Sequence, residues 1–178
     1  QMCIRDRFVR QGFLDDVKLE PPIKEWEKMG LLTIVDDDVI EIEYIVDWFL
    51  KAREKYGLEK VIADNYRTDI VRRAFEDAGI KLEVLRNPKA IHGLLAPRID
   101  TMFAKHNVIY GDNPLMRWFT NNVAVKVKPD GNKEYIKKDE NRRKTDGFMA
   151  FVHALYRADD IVDKDMSKAL DALMSIDF

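Results

Sequence analysis

The feature that most constrains this chain is an alternation of short apolar runs with longer amphipathic ones, each amphipathic run closed by a glycine. LLTIV, residues 31–35, has the β-branched, apolar content of a buried strand. A turn of three acids, Asp36, Asp37 and Asp38, leads into a helix that puts Ile40, Tyr44, Ile45, Trp48, Phe49, Ala52 and Tyr56 on one face. Gly57 stops it. KVIADNY supplies a second strand ending at Asp64. A second stripe of Ile70, Val71, Ala74, Phe75 and Ala78 ends at Gly79, and KLEVL, residues 81–85, is a third strand. Strand–helix–strand–helix–strand predicts an α/β sheet with parallel crossovers.

The flanks are less regular. Phe8, Val9 and Phe13 read as the end of a strand, Pro21 and Pro22 as a break, and IKEWEKMG as a short helix closed by Gly30. Residues 87–105 have helical spacing that Pro97 should interrupt. VIYGDNP predicts a short strand and turn, MRWF a helical turn, and VAVKV to EYI a hairpin around PDGN. A last helix opens at Asp146 with Phe148, Phe151, Val152, Leu155 and Tyr156 on one face, and an amphipathic piece near residues 166–174 ends an acidic tail.

With 178 residues, 46% of them hydrophobic and 35% charged, the chain has the make-up of one ordinary globular domain. No apolar run approaches the roughly 20 residues of a membrane helix. The single cysteine, Cys3, leaves no disulfide and no cysteine-rich zinc site, which favours a cytosolic setting. A net charge of -2 argues against a surface that binds nucleic acid everywhere. The opening QMCIRDR looks like an in-frame translation of a transposon-end sequencing adapter, so residues 1–7 are set aside from the fold. Residues 8–160 form the expected domain and residues 161–178 a tail with a short helix.

Two acids are candidates for chemistry. Asp64 stands at the carboxyl end of a strand expected to be central and parallel, where open α/β sheets bind ligands. The alternative is that Asp64 or Asn65 caps the following helix. Asp146 raises the same choice, because with Thr145 it could be a helix cap favoured by the macrodipole. A cap leaves unexplained the cations before it. Lys126, Lys128, Lys133, Lys137, Lys138, Arg142, Arg143 and Lys144 outnumber Asp130, Glu134, Asp139 and Glu140. A basic ribbon leading to an acid suits a polyanion whose phosphate meets a metal; the alternative is a solvated hairpin. Asp36–Asp38 lack the glycine and glutamate of a calcium loop, and Asp112 belongs to an ordinary Asp-Asn-Pro turn. His92, His106 and His153 show no metal spacing, and His153 reads as packed. No Walker-type glycine loop is present, which excludes ATP binding by such a loop.

Four stretches taken in order, PIKEWEKMGLLTIVDDDVI, VIADNYR with AFEDAGI, RIDTMFAKHNVIYGDNPLMRWFTNNV, and GNKEYIKKDENRRKTDGFMAFVHAL, resemble the C-terminal nuclease domain of phage terminase large subunits over about residues 8–160. The resemblance implies a ribonuclease H-like fold, a mixed sheet flanked by helices, that hydrolyses DNA with two divalent ions, Mg2+ or Mn2+, held by three acids. Asp64 in VIADN matches the second acid and Asp146 in KTDG the third; both would be catalytic metal ligands. Lys137, Lys138, Arg142, Arg143 and Lys144 would hold DNA. The first acid belongs to a central strand that has no counterpart after Phe8, so the sheet should be split and the chain alone should not cut. Double-stranded DNA, a terminase small subunit and a portal protein are the implied partners, without a membrane, and a host cytoplasm is the implied setting for a phage-encoded enzyme cutting concatemeric DNA. Competing readings are a resolvase or recombinase of the same fold, or a non-catalytic module docking on DNA or the portal.

Overall fold

The computed structural model describes residues 8–65, 68–140 and 142–161. The adapter-like residues 1–7 and the amphipathic piece expected near residues 166–174 lie outside the described residues.

The expected rhythm is present, with shorter strands. β1 (Phe8–Arg10) is followed by α1 (Gln11–Asp16), α2 (Ile23–Lys28), β2 (Thr33–Val35), α3 (Ile42–Tyr56), β3 (Val61–Ala63), α4 (Thr68–Asp77) and β4 (Leu82–Val84). Then come α5 (Pro88–Ala104), α6 (Pro114–Asn121), β5 (Val123–Val127), β6 (Lys133–Lys137), α7 (Asp146–Leu155) and a 3-10 turn, Ala158–Asp160. Gly57 and Gly79, at φ of 64° and 66°, take the left-handed conformation that lets the chain leave α3 and α4.

The strands do not join into one sheet. β1 pairs with β2 in parallel, β3 with β4 in parallel, and β5 with β6 antiparallel, as three separate two-stranded sheets among the described residues. The parallel crossover through α4 is therefore as the rhythm predicts, whereas β2 and β3, joined by α3, are not paired with each other. β1 and β3 likewise belong to different sheets.

Four expectations are corrected. Phe13 lies in α1 rather than in a strand. VIY forms no strand; Ile109 is exposed, and Tyr110 is held by a 2.7 Å hydrogen bond with Thr120. Ile70, Tyr44 and Tyr56 are exposed, since the apolar stripes of α3 and α4 are wider than the surface they cover. Helix α5 runs through Pro97 without a break. Burial of His92, Leu95, Ala96 and Ile99 along it outweighs the one lost backbone hydrogen bond.

The main core joins α2, α5, α6, β6 and α7 through Trp26, Ile99, Phe119, Tyr135, Phe148 and Val152, all buried. Around α3, α4 and β4 lie Ala52, Phe75, Ile80 and Leu85, with the Phe49 and Phe75 rings meeting edge to face at 5.3 Å. α7 is the most embedded helix: Gly147, Phe148, Phe151, Val152, His153 and Leu155 are all buried.

Candidate functional site

Asp64 follows β3 directly and is half-buried. Residues 66 and 67, and with them the capping position of α4, lie outside the described residues. Asp146 is the first residue of α7 and is exposed. Thr145 holds the capping position before it, only 1% exposed, and its hydroxyl makes no capping bond. Asp146 is thus inside the first turn, where the unpaired N–H groups and the macrodipole favour a carboxylate. Both acids engage neighbouring groups.

Contacts down α7 fix its direction relative to β3. Past its end, Asp160 binds Lys60, just before β3, at 2.9 Å. Arg157 clasps Glu83 with Nη2–Oε1 at 2.6 Å and Nε–Oε1 at 2.8 Å, and Glu83 stands opposite Ile62 in the β3–β4 ladder. One turn earlier, the Asp64 charge is felt by His153. α7 packs on β3 and therefore runs against it. Its first turn, with Asp146, and the carboxyl end of β3, with Asp64, face the same end of the molecule. Among the described residues no group of three or more His, Cys, Asp or Glu side chains is arranged to hold a metal ion.

The basic ribbon is largely engaged within the protein. Glu134 on β6 is bridged by Lys89 at 2.9 Å and Lys128 at 3.6 Å, and Lys133 pairs with Asp100. Lys137 lies 3.8 Å from Glu140, and Lys138 donates to the Asn121 carbonyl at 2.6 Å. Arg143 meets Glu20 at 2.9 Å, and Lys144 Nζ sits 5.3 Å from the centre of the Phe13 ring. Arg142 is exposed, its backbone N–H donating to Asp139 at 2.8 Å. Pairs this exposed contribute little to stability and exchange easily for other anions.

Sequence reasoning missed the residue that anchors this ribbon. Asn122 is fully buried between α6 and β5, and donates from Nδ2 to the Lys144 carbonyl at 2.8 Å while Oδ1 accepts from Arg143 at 3.4 Å. Its backbone carbonyl also accepts from Lys138 N–H at 2.9 Å. Nothing in TNNV distinguishes it from a solvated helix end. The weaker candidates act locally: Asp37 accepts from the Tyr44 hydroxyl at 2.7 Å, and Asn113, beside Asp112, caps α6 through Met116 N–H at 3.0 Å.

No protein-family model matches this sequence, and no curated protein does either. Two solved structures share its fold. The large terminase of bacteriophage HK97 superposes with a TM-score of 0.72 at 18% identity, over 85% of this chain and 32% of that one. The large terminase nuclease of the thermophilic phage G20c gives 0.55 at 16% identity, over 68% of this chain and 64% of that one. The chain thus spans less than two thirds of the length of either protein.

Proposed function

We propose that this chain is the greater part of a terminase nuclease domain, which cuts concatemeric viral DNA by hydrolysing phosphodiesters with divalent metal ions. The observation that carries the reading is the shared fold with the HK97 large terminase over 85% of the chain. The common orientation of Asp64 and Asp146 is in keeping with it. Double-stranded DNA is the substrate under this reading, a small terminase subunit and a portal are the assembly partners, and the host cytoplasm is the setting.

The donor chemistry fits Mg2+ or Mn2+. Both are hard cations that take carboxylate oxygens and retain several waters, so a small number of acids suffices to hold them. Asp64 and Asp146 would contribute two such acids, and divalent ions held there would supply a more acidic bound water and positive charge to stabilise the departing oxygen. This chain's part is to hold the two carboxylates on packed elements. Arg142 and Lys144 lie just before Asp146 in the chain, and with Lys137, Lys138 and Arg143 they would trade surface partners for DNA phosphates.

A ribonuclease H-like sheet would be completed by a strand between β1 and β3. Among the described residues each of those strands has a partner on one side only, and an apolar cleft lined by Phe8, Val9, Phe13, Leu115 and Trp118 lies along β1. That strand would carry the remaining acid, and the chain without it would not cut. The test is plasmid cleavage with Mg2+ or Mn2+ by the chain alone and by a version extended upstream through one aspartate-bearing strand. The extended protein should cut, and Asp64→Asn or Asp146→Asn should abolish cutting while leaving DNA binding intact. Full cutting by either variant would sink the assignment and favour a docking module.

A further inference from the structure

Outside the acids, the densest group of unused polar side chains is buried where α5, α7 and β6 meet. His92 on α5 is 6% exposed, His153 on α7 is 7% and Tyr135 on β6 is 5%. The two imidazoles lie nearly parallel, 6.2 Å apart and 21° between planes, and the Tyr135 ring is 5.6 Å from His92. Both ring nitrogens of His92, Nε2 of His153 and the Tyr135 hydroxyl have no hydrogen-bond partner among the described residues. A neutral imidazole tolerates such a seat poorly, and an imidazolium far worse, because burying an unpaired charge is the costliest of these arrangements.

We infer that the His92–His153 pair is an acid-sensitive lock on the packing of α7 against α5 and the β5–β6 hairpin. The lock stands on the geometry of the seam and does not depend on the hydrolytic reading. Its consequence is that mild acid loosens the helix whose first residue is Asp146.

The charges facing the pair do not rescue the protonated form. His92 is opposed by His153, Lys89 and Lys128 and favoured by Glu134 alone. Glu134 is already bridged by the same two lysines. His153 is favoured by Asp64 across the β3 contact. Burial wins at both rings and holds them below the ordinary imidazole value of 6.5. The Tyr135 hydroxyl, pushed up to about 12 by burial, stays protonated.

The folded state therefore binds fewer protons than the open one, and stability is complete above pH 6.5 and falls as pH drops below it. Carboxylate losses begin lower, from the ordinary value of 4.5 for Glu83 and Glu134. The window between those values belongs to the histidines.

Amide hydrogen exchange of α7, corrected for intrinsic chemistry, tests this between about pH 7 and pH 5. Protection should fall by up to roughly tenfold per pH unit for each ring that takes up a proton on opening. His92→Phe should remove about one proton from that slope, His92→Phe with His153→Phe should flatten it, and Tyr135→Phe should leave it unchanged. An equal slope in the double variant, or no slope in the unsubstituted protein, would overturn the proposal. Should the double variant fail to fold, imidazole titration of the unsubstituted chain decides. Rings that stay neutral in the folded protein at a pH where they charge in urea support the lock. Rings that charge in the folded state with α7 protection unchanged refute it.

Discussion

Gly147→Ala is the sharpest test of how α7 is seated. Gly147 is helical, so the backbone does not require glycine there; what requires it is the approach of α6. A Cβ at this position would lie 2.8 Å from Met116 Sδ and 2.9 Å from Phe119 Cε2, with Phe119 Cδ2 closer still. Two effects oppose. Alanine in place of a helical glycine gains roughly 0.5–1 kcal/mol through the unfolded chain. Forcing a methyl into a packed core costs typically 1–3 kcal/mol, and the upper part of that range applies because Phe119 is only 1% exposed and its rigid ring cannot fold away. The net expectation is a loss of about 1–2.5 kcal/mol. Urea unfolding followed by tryptophan fluorescence, to which Trp118 on α6 and Trp26 contribute with rings meeting at 5.9 Å, would read it. Phe119→Leu in the same chain should recover part of the loss, a coupling that a double-mutant cycle isolates. An alanine variant as stable as the parent, or more so, would refute the close approach of α6 to α7.

Two further outcomes follow from other contacts. Asn122→Ala leaves the part-buried Lys144 carbonyl without its donor and should cost roughly 0.5–1.5 kcal/mol in the same unfolding assay; no measurable change would mean that solvent takes the donor's place. The Arg157 guanidinium holds Glu83 below its ordinary value of 4.5, so its contribution is present above that pH and lost as pH falls through the lower folded value. Glu83→Gln should therefore reduce the acid sensitivity of the urea midpoint below pH 4.5 and leave the histidine window above it unchanged.

Elements whose signal is local were legible in the sequence. Gly57 and Gly79 end α3 and α4 because only a left-handed residue lets the chain turn there, and that demand is written in one residue. The hairpin around PDGN and the opening of α7 at Asp146 were legible for the same reason. What was not legible is set by contacts distant in the chain. Pro97 looks like a break until the buried side of α5 is known, and Ile70 looks like core until α4 is seen to expose it. Strand pairing was legible only in part: the rhythm gives β3 beside β4, but β2 and β3 have the composition of neighbours and pair with different strands. Of the site, Asp64 and Asp146 were singled out from strand ends, helix starts and a resemblance, whereas Asn122 and the His92–His153 stack exist only through tertiary packing.

The embedding of α7 gives its first residue an unusual dependence on remote contacts. At one end Gly147 presses on Phe119 and Met116; at the other, Arg157 and Asp160 tie the chain to Glu83 and Lys60 on the β3–β4 sheet. Between them the helix buries an almost continuous face. A close-packed interior transmits displacement instead of absorbing it, so a helix pinned at both ends cannot shift at one without registering at the other. Asp146 is exposed, but its position is set by buried glycine, stacked histidines and a charge clamp roughly a helix length away. Under the proposed reading, in which Asp146 would hold a divalent ion, such seating would fix the carboxylate more firmly than any partner beside it. Perturbing the Arg157–Glu83 clamp should then move Asp146 relative to Asp64 even where total stability hardly changes.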